Sequence, residues 1–437
     1  MDLLSSIFPV FIPQIARATP DFGGTVWKKY LLNPVLQAGP SDWDAFEVSS
    51  GNVIKTSSGY SMYYAGRSSP WSFHYAIGLA TSTDGKSWTK FGTNPILDVG
   101  PSGAWDSGLV ANPSVIQDDA ELKMYYIGSD GAAYNIGLAT SSDGVSWVKH
   151  PAPVLRVGDV GEWDSALVAN PSVIKDGSTY KMWYQGGDGL TTKIGYATSN
   201  DGVTWLKHTG PVLERGPSGF WDALASGLEL PSVVKDGSVF MMWYFAALIG
   251  VIGYATSNDG VNWSKFDQPV LTPTPESWDS GVVMEPKVLI DGAEYKMYYT
   301  GRAPGIGNAI GLATSPRVIP ATIDIDPNTL NLKSKGKWVT CYIELPQGYY
   351  ANDIDVSTVK LWHNGDLIVS AELHPTEIGD HDGDGIPDLM VKVDRQALIE
   401  YLKTIPESEV ELTVTGEIAG TPFEGSDTVR VINKGKK

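Results

Sequence analysis

The chain has 437 residues, a formal net charge of −18, 42% apolar residues and 15 tryptophans, a composition that supports large folded cores and excludes a disordered chain. The acidic balance argues against binding nucleic acid or an anionic membrane through a basic face, and no apolar run reaches the length of a membrane span. The single cysteine, Cys341, excludes intramolecular disulfides and Cys-based metal sites.

Residues 3–12 are a short apolar stretch, and Ala16-Arg17-Ala18 has the small-x-small form of a signal-peptidase site, with Asp2 where a basic region is expected. Residues 1–20 are therefore expected to be a signal peptide or a lead-in outside the fold. The protein is expected to be secreted or displayed at the cell surface.

From residue 21 to 317 one block recurs at intervals of roughly 60 residues. It reads Trp-Asp, an apolar strand, a turn, Lys-Met-Tyr-Tyr or a variant, a loop, Ile-Gly-Leu-Ala-Thr-Ser, Asp-Gly-x-x-Trp and Pro-Val-Leu. The Trp-Asp pairs are Trp43-Asp44, Trp105-Asp106, Trp163-Asp164, Trp221-Asp222 and Trp278-Asp279. Each block holds four strand-like runs, in the third at 167–174, 180–185, 193–198 and 204–207, which describes a four-stranded antiparallel blade. The fold class expected is all-β: a five-bladed β-propeller. The last block stops at Pro316, and the missing piece stands at the other end, in Val26-Trp27-Lys28-Lys29-Tyr30 and Asn33-Pro34-Val35-Leu36. Residues 25–36 are expected to supply the outer strand of the last blade and close the ring.

Residues repeated in every block do the same packing job in each. By that argument the Trp-Asp aspartates are structural, as are Asp84, Asp143, Asp201 and Asp259 in the Ser-x-Asp-Gly-x-x-Trp turns. There the carboxylate can accept backbone N–H groups while the glycine takes positive φ. The turn is similar to the Asp-box of sialidases, but its spacing differs by one residue, so it is read as convergent.

Function is expected where blades differ, at the start of the first strand and the end of the second, on one face. The first strands contribute Ser49-Ser50-Gly51, Ala111-Asn112-Pro113, Ala169-Asn170-Pro171, Glu229-Leu230-Pro231 and Met284-Glu285-Pro286. Only Glu229 and Glu285 place a carboxylate in this window, and they are the catalytic candidates, an acid with a base or nucleophile being the minimum for glycoside hydrolysis. Asn112 and Asn170, with Glu47, Arg67, Asp130, Asp188 and Arg302, offer polar partners for sugar hydroxyls. The long loop at 68–75 adds His74 and Trp71, a tryptophan the repeat does not explain.

The motifs Pro-Ser-Val-Ile-x-Asp-Gly-x-x-Tyr-Lys-Met-Trp-Tyr and Ile-Gly-Tyr-Ala-Thr-Ser-x-Asp-Gly resemble those of the five-bladed glycoside hydrolase superfamily, which includes arabinanases, β-xylosidases, invertases, levansucrases and mannoside phosphorylases. The resemblance covers about residues 25–316. It implies an inner-strand Asp before Pro as base and a Glu in Glu-Gly-Pro as acid for the family-43 enzymes. Glu229-Leu230-Pro231 matches the second pattern, while Asn112-Pro113 and Asn170-Pro171 stand at the first. Met284-Glu285-Pro286-Lys287 loosely resembles the Glu-Asp-Pro-Arg of the mannoside phosphorylases. Either Glu285 has taken over a carboxylate role, or the ring binds glycan without cleaving it.

Residues 318–437 read as a small β-sandwich, with one helix at 395–403 behind Asp394 as N-cap. Asp380, Asp382, Asp384 and Asp388, with the Ile386 carbonyl, match the first part of a calcium loop. Val391 stands where an EF-hand has its bidentate Glu, so the loop resembles the shorter ones of dockerins and thrombospondin type 3 repeats. The cofactor expected is a structural Ca2+. The partner expected is an oligo- or polysaccharide, acted on by a monomer as a glycoside hydrolase, or bound by a non-catalytic surface protein.

Overall fold

A computed structural model describes residues 23–39, 43–346 and 349–433; the expected signal peptide lies outside the described residues. The chain divides into two compact units, one of Gly23–Arg317 and the other beginning at Val318. Among the described residues the helical segments are Arg395–Leu402 and the short 3-10 turn Ala351–Asp353, so the protein is nearly all-β.

In the first unit each repeat folds as four antiparallel strands. Three sheets have four strands. A fourth, of eight strands, is two such repeats joined by one parallel pairing, Leu167 with Tyr134. In the third repeat the strands are Leu167–Asp176, Thr179–Gly187, Thr192–Ser199 and the two-residue Leu206–Lys207. The repeated Trp-Asp pair pins each repeat together. Asp44, Asp106, Asp164, Asp222 and Asp279 are buried, and each accepts a lysine Nζ at 2.5–2.6 Å, from Lys90, Lys149, Lys207, Lys265 and Lys29 in turn. The hydroxyls of Tyr64, Tyr126, Tyr184 and Tyr299 donate to the same carboxylates. The tryptophans lie flat on the sheet, which needs glycine beneath them: a Cβ on Gly78 would sit 2.6 Å from Trp43.

The Asp-Gly turns form as the sequence implies. The Asp84 carboxylate accepts the Lys86 and Ser87 N–H groups, and the Ser82 hydroxyl caps Gly85 N–H. Each turn also receives the aromatic of a neighbouring repeat. Tyr63 donates to Gly144 O, Tyr125 to Gly202 O, Trp183 to Gly260 O, Trp243 to Gly24 O and Tyr298 to Gly85 O. This chain of bonds passes through every repeat and returns to the first, so the strands close a ring.

The N-terminal segment completes the last repeat. Lys28–Lys29 pairs antiparallel with Ala309–Pro316, and Leu36 bridges to Ile310. Asn33 clasps the Leu312 backbone through both N–H and C=O, as Asn94 clasps Leu79. The closure begins earlier than expected. The turn thought to be missing is split across the chain, with Ser315 accepting the N–H of Gly24, which has φ +76°.

In the second unit the long strand Asp366–Gly379 pairs with Ile354–His363 through its first part and with Asp388–Asp394 through its later part. It thereby joins two groups of strands whose side chains, among them Ile325, Val339, Cys341, Leu361, Val391 and Val414, share one core. The helix has the expected N-cap: Asp394 Oδ1 accepts the Ala397 N–H at 2.8 Å.

Candidate functional site

The site is built by a backbone irregularity common to the inner strands. In each repeat the pairing of the first two strands slips, between Ser49 and Asn52 in the first and at the corresponding places in the others. The slip leaves one residue with positive φ: Ser50, Asn112, Asn170, Leu230 and Glu285, at 50–56°. A non-glycine residue there costs about 1–2 kcal/mol, and such bulges re-aim side chains beside functional sites. Their equivalence agrees with the alignment drawn from sequence. Glu285 and the two asparagines share a position, whereas Glu229 stands one residue earlier, where the others carry Ser49, Ala111, Ala169 and Met284.

Three groups of side chains result. Asn112 Nδ2 donates to Asn170 Oδ1 at 2.5 Å, and Asn170 Nδ2 donates to Gln185 Oε1, all three residues being buried. Gln185 also bonds Glu229, whose Oε1 accepts the Thr192 hydroxyl at 2.9 Å. Burial raises the Glu229 carboxyl above its ordinary value, and those two hydrogen bonds offset only part of the rise. In the second group Glu285 Oε2 accepts the Ser50 N–H at 3.0 Å and the Thr300 hydroxyl at 2.6 Å. In the third, buried Glu47 pairs with Arg67 at 2.9 Å and accepts the Tyr75 hydroxyl at 2.5 Å. The Arg67 guanidinium lies over the rings of Phe46 and Tyr75. Burial pushes the Tyr75 hydroxyl up, followed by Glu47; the Glu285 charge adds to the rise, which places that carboxylate within electrostatic reach.

The remaining candidates sit apart from these groups. Asp130 and Asp188 are exposed and spend their carboxylates on their own loops, accepting the N–H of Ala132 and those of Leu190 and Thr191. Arg302 is exposed at the end of Glu294–Arg302. His74 bonds Asp98 at 2.5 Å, and Trp71 is 89% exposed beside an equally open Phe73. Sequence reasoning missed Gln185, Thr192, Thr300 and Tyr75. A signal existed for two of them: strand pairing aligns Ala65, Ile127, Gln185, Phe245 and Thr300, and only Gln185 and Thr300 of these are polar.

In the second unit Asp380, Asp382 and Asp388 bring oxygens within 4.8 Å of one another, and Glu344, Asp382 and Asp384 do the same. Glu344, absent from the sequence motif, arrives because it pairs with Asp388 across adjacent strands. Burial first, and then the Asp384, Asp382 and Asp388 charges, raise its carboxyl. The two groups of three share Asp382, and each offers oxygen donors that could hold a metal ion. The Ile386 side chain is exposed, and its backbone N–H donates to Asp384 Oδ1.

Sheets built from repeats and a closed ring define a β-propeller with carboxylates at its inner-strand bulges. The profile of a family described as β-1,4-mannooligosaccharide phosphorylase matches residues 108–242. An uncharacterized protein of Mycobacterium tuberculosis is 31% identical over 228 residues, covering 48% of this chain and 73% of that protein. A 1,2-β-oligomannan phosphorylase of a Thermoanaerobacter species is 29% identical over 100 residues, 21% of this chain and 32% of its own length. A solved structure titled a glycoside hydrolase superposes with TM-score 0.55 at 20% identity, covering 64% of this chain and 90% of that one. The chain belongs to the same family as that Mycobacterium tuberculosis protein, and part of it, residues 108–242, is similar to the mannooligosaccharide phosphorylases.

Proposed function

We propose that the ring is a five-bladed propeller whose central pocket hydrolyses an oligosaccharide, with Glu229 as proton donor and Glu285 as base. The observation that carries this reading is the pair of carboxylates held in different settings at neighbouring inner-strand positions. Glu229 is half-buried among neutral partners, and burial raises its carboxyl above the ordinary value, the direction that suits a general acid. Glu285 receives a backbone N–H and a hydroxyl on one oxygen, an arrangement that fixes the carboxylate while its other oxygen can take a proton from water. Asn112, Asn170, Gln185 and Arg67 supply donors and acceptors for hydroxyls, and Trp71 a face for a pyranose ring.

Mannosides are the first substrates to offer, because the matched family's description names a mannooligosaccharide and the Thermoanaerobacter relative's name an oligomannan. The test is incubation with β-1,2- and β-1,4-linked mannooligosaccharides and other glycans, with and without inorganic phosphate, and chromatography of the products. Free reducing sugar without phosphate is the expected result. A sugar 1-phosphate formed only with phosphate would move the reaction to phosphorolysis. The presence of Asn112 and Asn170 where the family-43 enzymes carry Asp favours one second reading, a glycan-binding protein without cleavage. Retention on an immobilised glycan with no product released would establish it.

The second unit is proposed to be a β-sandwich holding a structural Ca2+ through Asp380, Asp382, Asp384, Asp388 and the Ile386 carbonyl, with Glu344 added. Support comes from the crowding of carboxylates there: burial first, and then the charges of Asp384, Asp382 and Asp388, raise Glu344. A site of this open kind fits the millimolar calcium outside cells, which supports a secreted or surface location.

A further inference from the structure

Beneath the bulges the ring axis holds a feature that the pocket chemistry does not use. Asn52, Ser114, Ser172, Ser232 and Lys287 occupy equivalent places on the inner strands, each in register with a residue of the second strand. They line one cavity of about 460 Å³. In four repeats the side-chain oxygen at this place accepts a backbone N–H from the next repeat. Val115 N–H donates to Asn52 Oδ1, Val173 to Ser114 Oγ, Val233 to Ser172 Oγ and Val288 to Ser232 Oγ, all at 2.9–3.0 Å. The acceptor capacity that holds the ring together is thus turned outward to the neighbour. What these groups keep is donors: a hydroxyl that accepts still has its O–H, and an amide whose oxygen accepts still has its NH2.

The last repeat breaks the pattern with a lysine, which has no acceptor at all. Lys287 is 7% exposed, and the bond recorded for its Nζ among the described residues is to Pro171 O, at a marginal 3.5 Å. Burial brings its pKa down to about 8 against the opposing charge of Glu285, and Glu285 makes no ion pair with it within 4 Å among the described residues. A buried ammonium without a close counter-charge is costly. The lysines lining the same cavity farther along, Lys55, Lys175 and Lys235, are already paired with Asp291, Asp118 and Asp176.

We propose that this waist of the channel binds a small monovalent inorganic anion, of the halide class, between Lys287 Nζ and the free donors of Ser114, Ser172, Ser232 and Asn52. One unpaired cation sets the charge of the ligand at one. Short hydroxyl and amide donors, with no guanidinium fork, suit a spherical ion over a planar carboxylate. The ion neutralises the cation that stands two residues from Glu285 on the same strand, so the propeller is assembled around an anion that is neither substrate nor product.

Bromide is the probe, used on the full chain. Crystals grown in sodium bromide are expected to show an anomalous peak within hydrogen-bond distance of Lys287 Nζ. In solution, the melting temperature of the ring is expected to rise saturably when gluconate is exchanged for chloride or bromide at constant ionic strength. Lys287→Ser installs the residue found at 114, 172 and 232, and is expected to fold, to melt independently of halide and to lose the peak. A waist holding water alone in the bromide crystals would overturn the proposal, as would an unchanged halide response in Lys287→Ser. Should that variant fail to fold, the wild-type bromide peak alone decides.

Discussion

Asp164→Ala tests the argument that repeated aspartates hold the fold and take no part in chemistry. The carboxylate is 1% exposed and accepts the Tyr184 hydroxyl at 3.0 Å and Lys207 Nζ at 2.6 Å. Removing it leaves the buried Tyr184 hydroxyl without that partner, which costs about 1–3 kcal/mol. Lys207, a quarter exposed, can rehydrate, so its share is discounted to about 1 kcal/mol, the scale of exposed pairs. The expected total is about 2–4 kcal/mol, or roughly 3–6 °C in melting temperature for a cooperative unit of this size. Thermal unfolding read by near-ultraviolet circular dichroism would follow the change, because Trp163 stacks on Tyr184 beside the lost group. Lys207→Met strands the same carboxylate from the other side and is expected to destabilise comparably. An Asp164→Ala protein with an unchanged melting temperature, or one that lost turnover while keeping full stability, would refute the reasoning.

Other outcomes follow from the same geometry. The Asp84 and Asp143 carboxyls are held down to about 2, chiefly by backbone N–H groups, from Ser87 and Lys86 in one turn and from Ser146 and Val145 in the other. Their folded-state pKa lies below the unfolded value, so their stabilisation is full above about pH 4. It is lost as pH falls from there toward about 2, and Asp143→Asn should flatten the melting-temperature profile over that window. Calcium at 100 times its dissociation constant should stabilise the second unit by about 2.7 kcal/mol. A chelator, or Asp382→Asn, should remove that gain in a calorimetric scan. Trp71→Ala should raise KM for longer oligosaccharides with kcat unchanged, as expected when binding common to ground and transition states is lost; an equal fall in kcat would place Trp71 elsewhere in the mechanism.

Much of the ring could be read from residues because its determinants are local and repeated. Trp-Asp and Ser-x-Asp-Gly-x-x-Trp each carry a complete packing instruction, and their recurrence separates packing from function. The split turn was not legible: Ser315 and Gly24 are 291 residues apart, and the glycine lacks the aspartate that marks the other turns. The site was legible in part. Polar departures from the repeat pointed to Glu229, Glu285, Asn112 and Asn170, and the alignment already set Glu229 one residue before the others; the bulge that gives this column its positive φ is a backbone property that the residues alone did not show. Gln185, Thr300 and Lys287 each occupy a repeat position whose meaning appears only once the strand register is known. Glu344 reaches the acidic loop by pairing with Asp388, a long-range contact that no loop motif encodes.

The central claim is that Glu229 and Glu285 carry out hydrolysis in the ring's pocket. The most direct measurement is turnover of the best oligosaccharide by the wild type, Glu229→Gln and Glu285→Gln, with retention of each on the immobilised glycan. Both variants are predicted to fold and bind, and to lose about 10²–10⁴-fold in kcat, the range for a missing general acid or base. Full turnover in either variant would contradict that residue's role, and a wild type that binds without releasing product would contradict the claim itself.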